Sequence, residues 1–215
     1  AVTHAMQTDF EQFAQIYARG EAQILATTLV ADLETPVSAY LKIAGDRPNA
    51  FLLESVESGE TRGRYSMIGL DPDVIWRANG DTAEINRRAQ TDKTAFEPCG
   101  EPPLTALRAL LAESAIPLPE GAPPMAAGVF GYLGYDMVRQ MERLSPAKAD
   151  PIGVPEALLI RPTIMVVFDA VKDEITAVTP VRPQPGVPAR AAFEAAMERL
   201  EGIVASRERP VAHPA

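Results

Sequence analysis

The side chains most able to do chemistry gather in one short stretch of this chain, where Glu54, Ser55, Glu57 and Glu60 follow one another closely. Paired carboxylates work as acid and base only when they converge in a pocket. Here the apolar segment Phe51-Leu52-Leu53 runs through Glu54 and Ser55 into Glu57-Ser58-Gly59-Glu60, which has the composition of a turn, so Glu57 and Glu60 are expected to face water. Glu54 and Ser55 stand apart because they end a strand where it meets a loop, a position that often lines ligand sites. On residue type alone, Ser55 still reads as an ordinary turn hydroxyl.

Several chemistries are excluded. The two histidines, His4 and His213, stand near the chain ends, which leaves no internal imidazole for a Ser-His-Asp or Cys-His arrangement or for a histidine-rich metal site. The single cysteine, Cys99, rules out an intrachain disulfide and a multi-cysteine metal site, and it reads as a thiol without function. No phosphate loop of the Gly-x4-Gly-Lys-Ser/Thr type, no Gly-x-Ser-x-Gly and no His-Glu-x-x-His occurs. Gly128, Gly131 and Gly134 are spaced three apart, which is not the dinucleotide fingerprint. Such glycines let another backbone approach a strand closely, with Tyr132 and Tyr135 packing nearby and Asp136 placed to cap the next helix.

With 215 residues, 47% of them hydrophobic and 23% charged, the chain can bury a core as one sizeable domain or two small ones. A net charge of −9 with scattered basic residues argues against a nucleic-acid partner. No apolar run reaches the ~20 residues that span a bilayer, and the start lacks a basic then apolar signal, so no membrane partner and a cytoplasmic location are expected. The 20 prolines, about twice the usual share of roughly 5%, cluster in Pro117 to Pro124 and Val181 to Pro188 as linkers or long loops.

The elements that must position these residues follow from periodicity. Phe10, Phe13, Ala14 and Tyr17 share one helical face, with Thr8 and Glu11 as a capping box and Gly20 as the stop. Gln23 to Val30 is rich in β-branched residues and reads as a strand, and Thr35-Pro36 starts a short helix through Leu41. Strands are expected at Ala50 to Ser55, Arg64 to Leu70, Asp73 to Ala78 and Thr82 to Asn86, the last two joined at Asn79-Gly80 by a hairpin turn with positive φ. A helix follows from Pro103 to Ser114, then a strand from Ala126 to Tyr132 and helical spacing from Tyr135 to Leu144. Leu158 to Ile160, Thr163 to Phe168 and Glu174 to Thr179 read as strands, and Ala189 to Ala205 as an amphipathic helix before a frayed tail. Hairpins with helices inserted between groups of strands, and no βαβ alternation, indicate an α+β fold with a largely antiparallel sheet.

Beyond periodicity, the text itself is specific. Thr35-Pro36-Val37-Ser38-Ala39-Tyr40-Leu41-Lys42, then Phe51 to Glu60, then Gly63-Arg64-Tyr65-Ser66-Met67-Ile68-Gly69 resembles the amino-terminal region of anthranilate synthase component I. The block Gly128 to Asp136 is similar to that family's Gly-Tyr-rich segment, and Pro155 through Val167-Phe168-Asp169 matches in order and spacing. The resemblance covers about Asp32 to Thr179. It implies three parts: 1–31, a helix and strand joining the sheet; 32–179, the tryptophan-sensing domain; and 180–215, a proline-rich linker and helix leading toward an absent chorismate-binding half.

The resemblance further implies a large subunit that converts chorismate to anthranilate with Mg2+, takes ammonia from a glutamine amidotransferase subunit and is inhibited by L-tryptophan. The chorismate and Mg2+ residues would lie in the carboxyl-terminal half, so no catalytic or metal residue is expected here and the fragment alone is expected to be inactive. The family's tryptophan pocket maps onto Leu53, Glu54 and Ser55, with Tyr65 as a further lining residue and the rest supplied by the absent half. The equivalent fragment of aminodeoxychorismate synthase and a free-standing amino-acid-binding module are the alternatives. The Thr35 to Lys42 block and the Glu-Ser-Val-Glu-Ser-Gly-Glu turn look more like the anthranilate enzyme.

Overall fold

The computed structural model describes residues 4–6, 9–30, 34–56, 62–143, 145 and 152–208. Eleven strands, four α-helices and one 3-10 helix occur among them: β1 His4–Met6, α1 Phe10–Ala18, β2 Gln23–Val30, α2 Pro36–Ile43, β3 Phe51–Val56, β4 Arg62–Leu70, β5 Val74–Asn79, β6 Thr82–Asn86, β7 Phe96–Pro98, α3 Pro103–Ser114, β8 Phe130–Leu133, the 3-10 helix Tyr135–Gln140, β9 Ala157–Arg161, β10 Ile164–Asp169, β11 Glu174–Val181 and α4 Ala189–Arg207. Every strand pairing is antiparallel, which makes the fold the α+β class expected.

The chain divides into two compact units. The first comprises the described residues of Ala1–Asp71, Ile116–Ala127 and Thr163–Ala215, and the second those of Pro72–Ala115 and Gly128–Pro162. In the first, a six-stranded sheet has the order β1-β2-β11-β10-β4-β3. Its register puts Leu25, Leu29, Ile68, Val166, Phe168 and Ala177 on one face, where α1, α2 and α4 pack. Phe10 and Phe13 meet Phe193 of α4 edge to face, at 5.4 and 5.2 Å between ring centres. Phe13 is fully buried, and a side chain of that size contributes on the order of 2–3 kcal/mol when removed from water.

Local chemistry sets the helix ends. Asp9 caps α1 by accepting a hydrogen bond from the Glu11 N–H, and Gly20, at φ 73°, takes the left-handed conformation that ends it. The expected cap Thr8 lies outside the described residues. For α2, Thr35 and Ser38 form a reciprocal capping box and Pro36 fills the first turn, where its missing N–H has no partner to lose.

In the second unit, α3 packs on a five-stranded sheet of order β7-β6-β5-β9-β8, burying Trp76, Ala106, Leu107, Leu110 and Leu159. Three local expectations change. The β5–β6 hairpin turns on Gly80-Asp81, because Asn79 and Thr82 are already paired, and only Gly80 takes a positive φ. The strand expected at Ala126 to Tyr132 is confined to Phe130–Leu133, since Ala126 donates back to the Pro123 carbonyl in a turn. The helical spacing after Tyr135 yields a 3-10 helix with one buried side chain, Met137, and Leu144 lies outside the described residues.

Candidate functional site

The edge of the six-stranded sheet carries the strand end singled out from sequence. In the β3–β4 ladder Leu52 pairs with Ile68, Leu53 with Met67 and Glu54 with Ser66; the register then shifts, and Val56 pairs with Arg62. Ser55 alone therefore faces Gly63, Arg64 and Tyr65, so the extra residues of this β-bulge are on β4. Alternation along the strands puts Leu53, Met67 and Tyr65 on the face opposite the helices. Gly63 lies two residues before Tyr65 on that face, and a Cβ built at Gly63 would run into the Ser55 side chain and come within 2.5 Å of its carbonyl oxygen. Two residues after Leu53 on β3, Ser55 falls on the same face as Leu53 and Tyr65, while Glu54 shares its register with Ser66 on the helix side. Leu53, 48% exposed, Glu54 and Ser55 are open to solvent, and Tyr65 is half-buried. The turn carrying Glu57 and Glu60 lies outside the described residues.

Beside Tyr65 the surface becomes polar. Arg64 donates to both carboxylate oxygens of Asp169, with its Nη2 2.9 Å from Oδ2, and its guanidinium stands 4.8 Å from the Tyr65 ring centre. Asp169 also accepts from the N–H groups of Val171 and Lys172, which ties down the β10–β11 turn. The Arg64 hydrogen bond holds the Asp169 carboxyl below the usual carboxylate range, against the opposing effect of burial.

A cavity of about 310 Å³ opens on this same face. Ala26, Thr28, Val167 and Thr176 form its floor, Tyr65 one wall and Gly121-Ala122-Pro123 of the proline-rich segment another; Asp169, Lys172 and Glu174 stand at one end. Sequence reading missed this group because its members come from four strands, the β10–β11 turn and a loop. Only the register assembles them: Val167 pairs with Thr176, Thr176 with Thr28, and Asp169 with both Tyr65 and Glu174.

Elsewhere the polar groups serve packing. A Cβ at Gly131 would lie 2.9 Å from the Leu159 Cα, and one at Gly134 2.7 Å from the Glu156 carbonyl oxygen, so both glycines admit the neighbouring backbone of the β8–β9 pair. Asp136 pairs with Arg139, and the helix start at Gly134 has no side-chain cap. Burial pushes the Cys99 thiol above its ordinary value, which keeps it protonated and inert. Burial also raises Glu34, but hydrogen bonds from Lys42 and Ser38 outweigh it, leaving a carboxylate that anchors α2. Among the described residues no three His, Cys, Asp or Glu side chains converge to hold a metal ion, and no helix is long and apolar enough to cross a membrane.

Comparison with known proteins agrees with the text resemblance. No family model matches the chain. Anthranilate synthase component 1 of Cereibacter sphaeroides is 48% identical over 202 residues, covering 94% of this chain and 40% of that protein. The Pseudomonas putida protein of the same name is 36% identical, with the same two coverages, and that of Thermus thermophilus is 38% identical over 81% of this chain and 35% of its own length. The chain thus spans about 40% of the length of the first of these relatives. The crystal structure of anthranilate synthase component I from Streptococcus pneumoniae shares the fold, with a TM-score of 0.53 at 18% identity over 85% of this chain and 37% of that one. The chain belongs to the anthranilate synthase component I family, matching well under half of its relatives' length.

Proposed function

We propose that this chain is the regulatory and scaffolding portion of an anthranilate synthase component I, and that Ser55 with its neighbours forms part of a feedback site for L-tryptophan. The observation that carries the reading is the placement of Leu53, Ser55 and Tyr65 on one open sheet face at the β3 edge. A free amino acid with an indole side chain needs an apolar slot and, next to it, groups for its ammonium and carboxylate. Leu53 and Tyr65 supply the slot. The Ser55 hydroxyl and the strand-end backbone supply the polar end, with Glu54 adding its charge from the other face of β3.

The complete protein in this reading converts chorismate and ammonia or glutamine to anthranilate and pyruvate, with a glutamine amidotransferase subunit as partner. Mg2+ and chorismate would be held by the part of the relatives' length that this chain does not match, so the chain alone is inactive. Tryptophan bridging the two parts would favour an arrangement less competent at the chorismate site. Inhibition requires different affinities for the two states, and a coupling of about 1–3 kcal/mol is typical.

The test is Ser55→Phe in the enzyme extended to its relatives' full length. Filling the slot relieves tryptophan inhibition while turnover without tryptophan is kept. Equal sensitivity in mutant and parent overturns the assignment. The 215-residue chain alone binds tryptophan weakly or not at all, and tight calorimetric binding would contradict the bridging mechanism.

A further inference from the structure

We propose that Asp169 is a positioning residue of the feedback site: acting through Arg64, it holds the Tyr65 ring in the orientation in which that ring walls the indole slot. The assignment rests on the feedback reading and deepens it, because Asp169 belongs to β10, far from Ser55 in the chain, and itself touches no ligand.

Pairing of β3 with β4 is irregular at this point. Ser55 faces Gly63, Arg64 and Tyr65 together, and a bulge of this kind frees a side chain from strict alternation. Alternation alone would send Arg64 to the helix side, like Ser66. Its guanidinium instead donates from Nε and Nη2 to the Asp169 carboxylate, at 3.2 and 2.9 Å. Asp169 pairs in register with Tyr65 and lines the cavity on the open face, so Arg64 is drawn to the side that Tyr65 occupies. There it covers the ring, with 4.8 Å between the guanidinium carbon and the ring centre, inside the ~6 Å at which an aromatic face attracts a cation.

Burial shows which member of the pair holds the other. The Arg64 side chain is 47% exposed and that of Asp169 only 12%, so the carboxylate is the anchor. Asp169 is also fixed independently of Arg64, by the N–H groups of Val171 and Lys172. The Ala170 N–H donates to the Arg64 carbonyl oxygen at 2.8 Å, and the end of β10 therefore grips Arg64 by backbone as well as by side chain. A guanidinium on a free stem samples many rotamers, whereas one held by a two-pronged contact keeps a single plane. Among the described residues no other aromatic ring packs on Tyr65, which leaves this plane as the flat group against it. A wall set before the ligand arrives spares the ordering of one side chain on binding, worth about three- to tenfold in affinity.

The test is tryptophan inhibition of the enzyme extended to its relatives' full length, each variant compared with its own uninhibited turnover. Asp169→Asn keeps an acceptor for the Val171 and Lys172 N–H groups and removes the charge that grips Arg64. It is expected to raise the half-inhibitory tryptophan concentration about three- to tenfold. Arg64→Gln, which leaves Asp169 and its turn in place, gives a similar rise, and Arg64→Lys, which restores a cation, recovers part of it. Tyr65→Leu removes the ring on which the pair acts, so adding Asp169→Asn to it produces no further rise. A general loosening of the fold would weaken inhibition by the same factor with or without the ring, and that result overturns the positioning role. Unchanged sensitivity in either Asp169→Asn or Arg64→Gln overturns it as well. Ser55→Phe, measured alongside, separates the two claims: relief there with no effect at Asp169 sinks the positioning role alone, and no relief there sinks the feedback reading and the positioning role with it.

Discussion

Gly63 lies against Ser55 across the β3–β4 bulge, so closely that a side chain at position 63 would overlap the Ser55 side chain and carbonyl oxygen. The absence of a side chain at 63 thus lets the extra residues of β4 close against Ser55. Gly63→Ala is expected to destabilise the protein by about 1–3 kcal/mol, the usual cost of forcing extra atoms into a packed contact. Urea unfolding measures it, and an unchanged midpoint would refute the contact.

In the second unit the glycine block makes a parallel prediction. Gly131 meets the Leu158 and Leu159 backbone, which cannot withdraw without breaking the β8–β9 ladder. Gly131→Ala should therefore cost about 1–3 kcal/mol. Gly80→Ala, with open space around its Cβ but φ at 52°, should cost roughly 1 kcal/mol through backbone strain alone. Comparing the two by chemical denaturation separates close approach from conformation.

The Arg64–Asp169 pair predicts a pH dependence. Because the folded-state pKa of Asp169 is depressed below its unfolded value of ~3.9, the pair's contribution is fully present above that value and is lost as pH falls through the folded value. Arg64→Gln should flatten the acid side of the stability curve and change little near neutral pH beyond a constant offset. Melting temperatures on a pH series would show it, and identical acid slopes in the two proteins would rule it out.

Arg161 is a buried cation, 8% exposed, gripped by both oxygens of Asp73 at 2.9 and 3.0 Å and by the Ser114 hydroxyl. Removing Asp73 leaves that charge with only the more distant Glu113, 3.8 Å away, and the Ser114 hydroxyl. Asp73→Ala is expected to cost about 1–3 kcal/mol, and Asp73→Ala with Arg161→Met less than that single change. Unfolding free energies of the four proteins in the cycle test the coupling; additive costs would show that the pair is not coupled.

Elements of both units were legible in the sequence. Gln23 to Val30 and Pro103 to Ser114 coincide with β2 and α3, because the first carries dense β-branching and the second a broad apolar stripe. Where local cues compete, boundaries move: Asn79 joins the ladder instead of the turn, since pairing with Thr82 satisfies its backbone. His4–Met6 and Phe96–Pro98 were not legible as strands, being too short to show a period and defined only by their neighbours β2 and β6.

For the site, the sequence by itself determined the family text, the strand end Leu53-Glu54-Ser55 and the lack of internal histidine, clustered cysteine or phosphate loop. Those are properties of residues adjacent in the chain, and adjacency is what a sequence displays. Only the tertiary structure decided that the β3–β4 register sets Ser55 on the same face as Tyr65, that Glu54 stands on the other, and that Thr28, Val167, Lys172 and Thr176 line one cavity. Antiparallel pairing brings together residues more than a hundred positions apart, and a one-residue change of register would turn each of them to the opposite face.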